Sequence, residues 1–158
     1  MQKPSVTVHR TIEFSETDAA GLVHFSNYFR FMETAERVFF ERAEVPLIHN
    51  DPAAPRGFPR VDASCRYSQP LRFGDAVAIT LTLEKVRSCA LHFTFSFKRR
   101  TCEHTFEPVA EGAMTTVYIA ADPKTGKMRA QPIPEVWLTK MGWHTPPEPL
   151  SDTAFDCS

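Results

Sequence analysis

The chain has 158 residues, 42% hydrophobic and 23% charged, with a formal net charge of -1; this is the size and composition of one ordinary globular domain. So balanced a charge excludes broad electrostatic capture of nucleic acid or of an anionic membrane surface. No apolar run approaches the ~20 residues that span a bilayer, and the opening Met1-Gln2-Lys3-Pro4-Ser5 lacks the basic, apolar and small-residue regions of a secretory signal.

Residues 5 to 14 alternate strictly. Val6, Val8, Ile12 and Phe14 point one way and Ser5, Thr7, His9, Thr11 and Glu13 the other, which predicts a strand with one buried face. Residues 15 to 25 (SETDAAGLVHF) break that period and read as a loop. Ser26 to Ala43 reads as one long helix, because Tyr28, Phe31, Met32, Ala35 and Phe39 recur at helical spacing. Phe29, Val38 and Phe40 widen its apolar stripe, so it should be wrapped over much of its circumference. Ser26 or Asn27 is the expected N-cap, and Pro46 ends the helical stretch.

Residues 47 to 57 (LIHNDPAAPRG) read as a Pro-rich connection. Alternation resumes from Phe58 and again through Val77, Ile79, Leu81 and Leu83, then through Leu91, Phe93, Phe95 and Phe97. A last strand fits about residues 109 to 120, before the turn Asp122-Pro123-Lys124-Thr125-Gly126. A short helix is expected around Glu135 to Met141. Beyond it Pro146, Pro147 and Pro149 point to an extended or disordered end. The order is strand, helix, then four strands with short connections. That predicts an α+β fold: a five-stranded antiparallel sheet around one long helix. The four cysteines, Cys65, Cys89, Cys102 and Cys157, are far apart and are expected to be reduced thiols in a cytoplasmic protein, with Cys65 and Cys89 as small core residues.

The stretch Phe14-Ser-Glu-Thr-Asp18-Ala-Ala-Gly21-Leu-Val-His24-Phe25-Ser26-Asn27-Tyr28 resembles the signature of the 4-hydroxybenzoyl-CoA thioesterase branch of hotdog-fold proteins. Tyr67-Ser-Gln-Pro70-Leu-Arg-Phe73-Gly74-Asp75 is similar to the turn before that family's third strand. The resemblance covers roughly residues 5 to 135. It implies a hotdog domain over residues 1–135, with a short helix and Pro-rich tail over 136–158. It also implies an acyl-CoA thioesterase that needs no cofactor and no metal.

Elementary chemistry agrees with that implication. A thioester carbonyl needs a nucleophile or base, a place for developing oxyanion charge, and a leaving group. Asp18 supplies the first, either by attacking the carbonyl or by activating water; the sequence does not separate the two. The start of a helix supplies the second, because its first amides lack internal acceptors. A preorganised donor there contributes ~3 kcal/mol in acyl transfer. The thiol leaves readily as a thiolate of pKa ~8.5, by analogy with cysteine. The resemblance assigns the donor role to the backbone N–H of Phe25, helped by Ser26. Gly21 lets the backbone make a tight approach, and the resemblance puts Asn27 at the opening of the helix beside the substrate.

The remaining candidates carry two readings each. His24 contacts substrate or assists the base, or it is an ordinary polar loop residue; some relatives carry a His where this chain has Phe25. Glu33 and Glu36 lie on the helix, where other hotdog branches keep a carboxylate. Glu33 stands four residues before Arg37 and Arg37 four before Glu41, the spacing of surface ion pairs. That favours a structural role for Glu36, whereas the resemblance turns Glu33 toward the acyl pocket. Arg87, at the Val86-Arg87-Ser88-Cys89 hairpin, contacts CoA phosphates by resemblance and is otherwise a solvated turn residue. Lys98-Arg99-Arg100 reads as a basic loop. No phosphate loop, nucleophile elbow or zinc-protease motif occurs, and the six histidines lack metal-ligand spacing. Two other functions stay open: a hotdog hydratase or dehydratase using His24 with Glu33 or Glu36, and a non-catalytic acyl-CoA or acyl-carrier binding module. An open sheet edge implies a homodimer, or a homotetramer, with the active site at the subunit interface.

Overall fold

The computed structural model describes residues 2–49 and 51–149. Strand β1 (Ser5–Thr11) is followed by one turn of 3-10 helix (Phe14–Glu16) and the long helix α1 (Asn27–Arg42). Two short strands come next, β2 (Ile48–His49) and β3 (Arg56–Gly57). Four longer ones then run in succession: β4 (Arg60–Tyr67), β5 (Ala76–Val86), β6 (Ala90–Cys102) and β7 (Thr105–Val117). Strands β8 (Ile119–Ala121) and β9 (Met128–Ala130) and the short helix α2 (Glu135–Lys140) close the described chain.

The large sheet has five strands in the order β1-β5-β6-β7-β4, and every neighbouring pair is antiparallel. The expected sheet on one long helix is present. Leu91, Phe93, Phe95 and Phe97 alternate inward from β6, and Val77, Ile79, Leu81 and Leu83 from β5; all are buried. Helix α1 answers with Tyr28, Phe31, Met32, Ala35, Phe39 and Phe40. Each fully buried Phe or Leu contributes about 1.5–3 kcal/mol relative to exposure. The approach of helix to sheet is close at Gly112, where a Cβ would overlap the Met32 side chain. The core also takes in Ile133, Leu138 and Met141 from the α2 region.

Four expectations need correction. Residues 47 to 57 are not a bare connection: they carry β2 and β3, which join β8 and β9 in a second sheet of order β2-β3-β8-β9. Strands of two residues leave no periodicity to read. The strand expected over 109 to 120 is two strands, split at Tyr118, whose N–H donates to Cys89 O at 2.8 Å. Its ring packs on Phe58 and Trp137 at 5.2 and 5.3 Å, and that burial turns the chain out of the large sheet. Lys98-Arg99-Arg100 lies within β6 rather than in a loop, and Arg99 is tied to Glu107 and Asp75. Finally, Cys65 and Cys102 are free, but fully buried Cys89 is disulfide-bonded, so the reading of four reduced thiols fails there. Cys157 and the end expected to be extended or disordered, from residue 150, lie outside the described residues. No helix among the described residues is long and apolar enough to cross a membrane.

Strand β4 is the outer strand of the large sheet beyond β7. Seven of its eight residues are exposed, Cys65 alone being half-buried. Its outer edge is unpaired among the described residues.

Candidate active site

The loop between β1 and α1 is built as a closed turn. Thr17 and Val23 bridge antiparallel, the Asp18 N–H donates to Leu22 O at 2.7 Å, and the Gly21 N–H donates to Asp18 O at 2.9 Å. Closing so few residues demands left-handed backbone at Gly21, where φ is 76°; glycine adopts it without strain. Leu22 then bridges to Arg72 and the Val23 N–H donates to Leu71 O at 2.8 Å. These bonds dock the turn against the segment between β4 and β5.

Asp18 is exposed at the head of this turn. Its Oδ1 accepts the N–H groups of Ala20 and Leu22 at 2.8 and 3.2 Å. Those bonds fix the carboxylate's direction, and Oδ2 accepts nothing among the described residues. Asp18 is therefore a turn residue that also presents one uncommitted carboxylate oxygen.

The helix start is held by the 3-10 turn. Glu16 O accepts both the His24 N–H at 2.9 Å and Asn27 Nδ2 at 2.8 Å. The Glu16 carboxylate in turn pairs with Arg10, whose guanidinium lies 4.2 Å over the Phe31 ring. Ser26 occupies the N-cap position, but its side chain makes no cap bond. Instead its Oγ meets His24 Nδ1 at 2.7 Å, and the Ser26 N–H points at the same ring nitrogen at 3.3 Å. His24, stacked on Phe25 at 4.4 Å, thus engages Ser26, and no side chain caps the first amides of α1. The Phe25 N–H has no acceptor among the described residues.

Phe25, Leu22, Val23, Tyr28, Tyr67 and Pro70 help line a cleft of about 280 Å³; Asp18 lies beside it, not in its wall. Sequence reasoning did not single out Tyr67 and Tyr28. The Tyr67 hydroxyl donates to Phe25 O at 3.0 Å, which orients the peptide that follows Phe25. The two phenol rings meet edge to face at 4.8 Å. Burial is the main cause that pushes both hydroxyls up to about 12, so both remain protonated donors. The pairing of β4 and the helix start is a tertiary contact with no local signature.

The chain thus gathers Asp18, Gly21, His24, Phe25, Ser26 and Asn27, and leaves three candidates, Glu33, Glu36 and Arg87, elsewhere. Glu33 is exposed farther along α1. It does not take up the i,i+4 pairing with Arg37; its carboxylate lies 3.8 Å from Arg60 instead, while Arg37 pairs with Glu41. Arg87 sits in the β5–β6 turn, its N–H donating to Ala90 O at 2.9 Å. Glu36 is fully buried on α1 and ion-paired to Arg60, a structural role of a kind the surface spacing did not foretell. Among the described residues no three His, Cys, Asp or Glu side chains are grouped to hold a metal ion.

A 1,4-dihydroxy-2-naphthoyl-CoA hydrolase of Prochlorococcus marinus is 33% identical over 97 residues, spanning 57% of this chain and 63% of that protein. The chain thus spans under two thirds of that relative's length. Among solved structures, the 4-hydroxybenzoyl-CoA thioesterase of Pseudomonas sp. strain CBS-3 superposes with a TM-score of 0.73 at 22% identity. That match covers 87% of this chain and 99% of that one. A 1,4-dihydroxy-2-naphthoyl-CoA thioesterase from Synechocystis gives 0.72 at 19% identity, over 87% of this chain and 96% of that one. These likenesses show the fold, the hotdog arrangement expected from the sequence. The family model of the Thioesterase-like superfamily matches residues 12–141, which takes in the turn, the helix and every strand of the large sheet except β1, and the chain belongs to that superfamily.

Proposed function

We propose that this chain hydrolyses an acyl-CoA thioester, with an aromatic acyl group, to free acid and CoA. The observation that carries this reading is the Phe25 N–H, without an acceptor among the described residues, beside an apolar-walled cleft and the uncommitted oxygen of Asp18 on the same closed turn. The thioester oxygen docks on that N–H at the positive end of α1 and gains a preorganised donor as charge develops. Asp18 Oδ2 attacks the carbonyl carbon or takes a proton from the attacking water; the C–S bond breaks and the sulfur leaves with the electron pair, and after direct attack a water cleaves the resulting Asp18–acyl anhydride to free acid and the Asp18 carboxylate. Tyr67 is a positioning residue that holds the Phe25–Ser26 peptide, next to the one that carries the donor N–H. The aromatic acyl class is supported by relatives named for dihydroxynaphthoyl-CoA and hydroxybenzoyl-CoA. Short and medium aliphatic chains are the alternative.

The working unit is a homodimer at least. The exposed β4, with its free edge, suits antiparallel pairing with a second copy, and such pairing would wall the cleft beside Tyr67 and bring Glu33 toward an acyl group. A homotetramer is a further step of the same kind. Arg87 takes a CoA phosphate. Thiol release from a panel of aromatic and aliphatic acyl-CoAs tests the reading, wild type against Asp18→Asn. We expect release on an aromatic member and a loss of ~100-fold or more in the variant. Release that survives the substitution, or none on any member, overturns it, and a monomeric mass in solution overturns the dimer.

A further inference from the structure

The outer face of the large sheet, turned away from α1, carries a cleft that the thioesterase reading does not use. Val77 is buried and opposes Arg99, so alternation puts Ala76, Ala78, Lys98 and Arg100 on the outer face. Thr11 and His9 of β1 join them opposite Ala76 and Ala78, and Phe106 of β7 joins them opposite Arg100. The two alanines are short and the side chains around them long. The His9 and Phe106 rings lean toward each other across the sheet, their centroids 6.3 Å apart and their planes tilted by 56°. Ala78, between His9 and Lys98, is only 8% exposed although it faces solvent. Beside the rings lies a cleft of about 220 Å³ lined by His9, Thr11, Ala76, Arg100 and Phe106. The side chains of Arg10 and Val77 point inward, so these two residues give it main chain only.

Charge, shape and size each narrow what fits there. Arg99 on the inner face is tied to Glu107 and Asp75, but the Arg100 guanidinium has no carboxylate partner among the described residues. Glu103, in the β6–β7 turn, lies outside ion-pair distance of it, and Glu111 stands farther along, opposite Ser96. One free guanidinium in the lining matches the single charge of a carboxylate, which its planar fork can hold through two parallel bonds. The two rings over an alanine floor favour a flat aromatic body, packed edge to face or offset. The volume is below the ~300–1,000 Å³ of sites for drug-sized ligands, so the cleft suits one or two fused rings.

We propose that this cleft is a second binding site, for a small planar aromatic carboxylate: the ring lies over Ala76 against His9 and Phe106, and the carboxylate sits on the Arg100 guanidinium with the Thr11 hydroxyl beside it. The site is on the face of the sheet opposite α1, so it is separate from the cleft beside Asp18 at the start of that helix. It goes beyond the thioesterase reading and its test needs no turnover. A free aryl acid, which the proposed reaction releases, has the chemistry the site accepts.

The test titrates the full chain with 2-naphthoate and follows the imidazole signals of His9 by NMR, assigned through their loss in His9→Gln. This reporter reads the outer-face cleft alone, whatever else the ligand occupies. Two variants perturb the site in independent ways: Arg100→Gln removes the charge, and Ala76→Leu fills the floor while leaving every charge in place. Lys98→Gln is the control, since it removes a positive charge from the same face outside the lining. We expect the His9 signals to move along a saturating curve with a Kd of about 1 mM or tighter. Arg100→Gln should weaken it by ~10-fold or more, as loss of a charge-assisted contact, and Ala76→Leu should abolish it. Lys98→Gln should stay within about 3-fold of wild type, and 2-naphthamide, with the same rings and no charge, should bind ~10-fold weaker or worse. His9 signals that do not respond, a curve that Arg100→Gln leaves unchanged, an equal loss in Lys98→Gln, or equal binding of the amide overturns the proposal. Arg100 is exposed and its variant keeps the fold, so it decides the outcome even if Ala76→Leu does not fold.

Discussion

Glu36 stands where two opposing electrostatic effects can be weighed. It is fully buried on α1; its Oε2 pairs with Arg60 Nη2 and its Oε1 has no partner. Arg60 is 37% exposed, so water shares its charge and weakens what it lends to the carboxylate. Loss of solvation raises the carboxyl, Arg60 lowers it, and Glu33 raises it again; the outcome is a rise from the ordinary 4.5 to about 7. The folded state therefore prefers the protonated acid. The stabilisation tied to that preference is complete below about 4.5, where the unfolded chain is protonated too. It is lost as pH rises through the folded value of about 7, and is constant above it. At about 1.4 kcal/mol for each pH unit, the gap amounts to about 3 kcal/mol. Glutamine has the shape of the neutral acid and does not titrate. Relative to wild type, Glu36→Gln should gain about 3 kcal/mol in folding stability between pH 4.5 and pH 8. Urea denaturation of both proteins at the two pH values measures this directly. A difference that does not change with pH, or one in which wild type gains on the variant as pH rises, refutes the reasoning. Either would mean that Arg60 keeps Glu36 ionised in the fold and that the ion pair outweighs burial.

Three further substitutions probe the site and its support. Tyr67→Phe removes the hydroxyl that holds Phe25 O; at about 1 kcal/mol for one partly exposed bond, kcat should fall ~5-fold with little change in Tm, and an unchanged kcat would remove Tyr67 from the positioning role. Gly21→Ala meets no atom within 4 Å but must hold φ at 76°, so a loss of about 1–2 kcal/mol is expected from backbone strain alone; a neutral result in denaturant would show that the turn adopts another conformation at no expense. Gly112→Ala drives a methyl into fully buried Met32 and toward Ser64 O, and overpacking of this kind costs about 1–3 kcal/mol. Pairing it with Met32→Ala should recover part of that loss, and a strictly additive double variant would refute the clash.

The sequence carries the large sheet and the long helix in its patterning, because a period of two and a period of 3.6 are local properties of the chain. Leu91, Phe93, Phe95 and Phe97 could alternate inward only as a strand, and Tyr28, Phe31, Met32, Ala35 and Phe39 could share one face only as a helix. It also marked the turn from Asp18 to Asn27, where Gly21 and a string of capping residues leave few conformations. Tertiary structure decided the rest. Strands β2 and β3 are too short to have a period and exist because β8 and β9 pair beside them. Tyr118 breaks a continuous alternation because its ring finds Phe58 and Trp137. Glu36 belongs to neither of the i,i+4 pairs on the helix surface, and only the arrival of Arg60 from β4 gave this buried carboxylate an ion-pair partner. Tyr67 reaches Phe25 across 42 residues and Glu148 reaches Lys85 across the second half of the chain. Contacts of that range depend on where whole elements come to rest, and no local spacing encodes them.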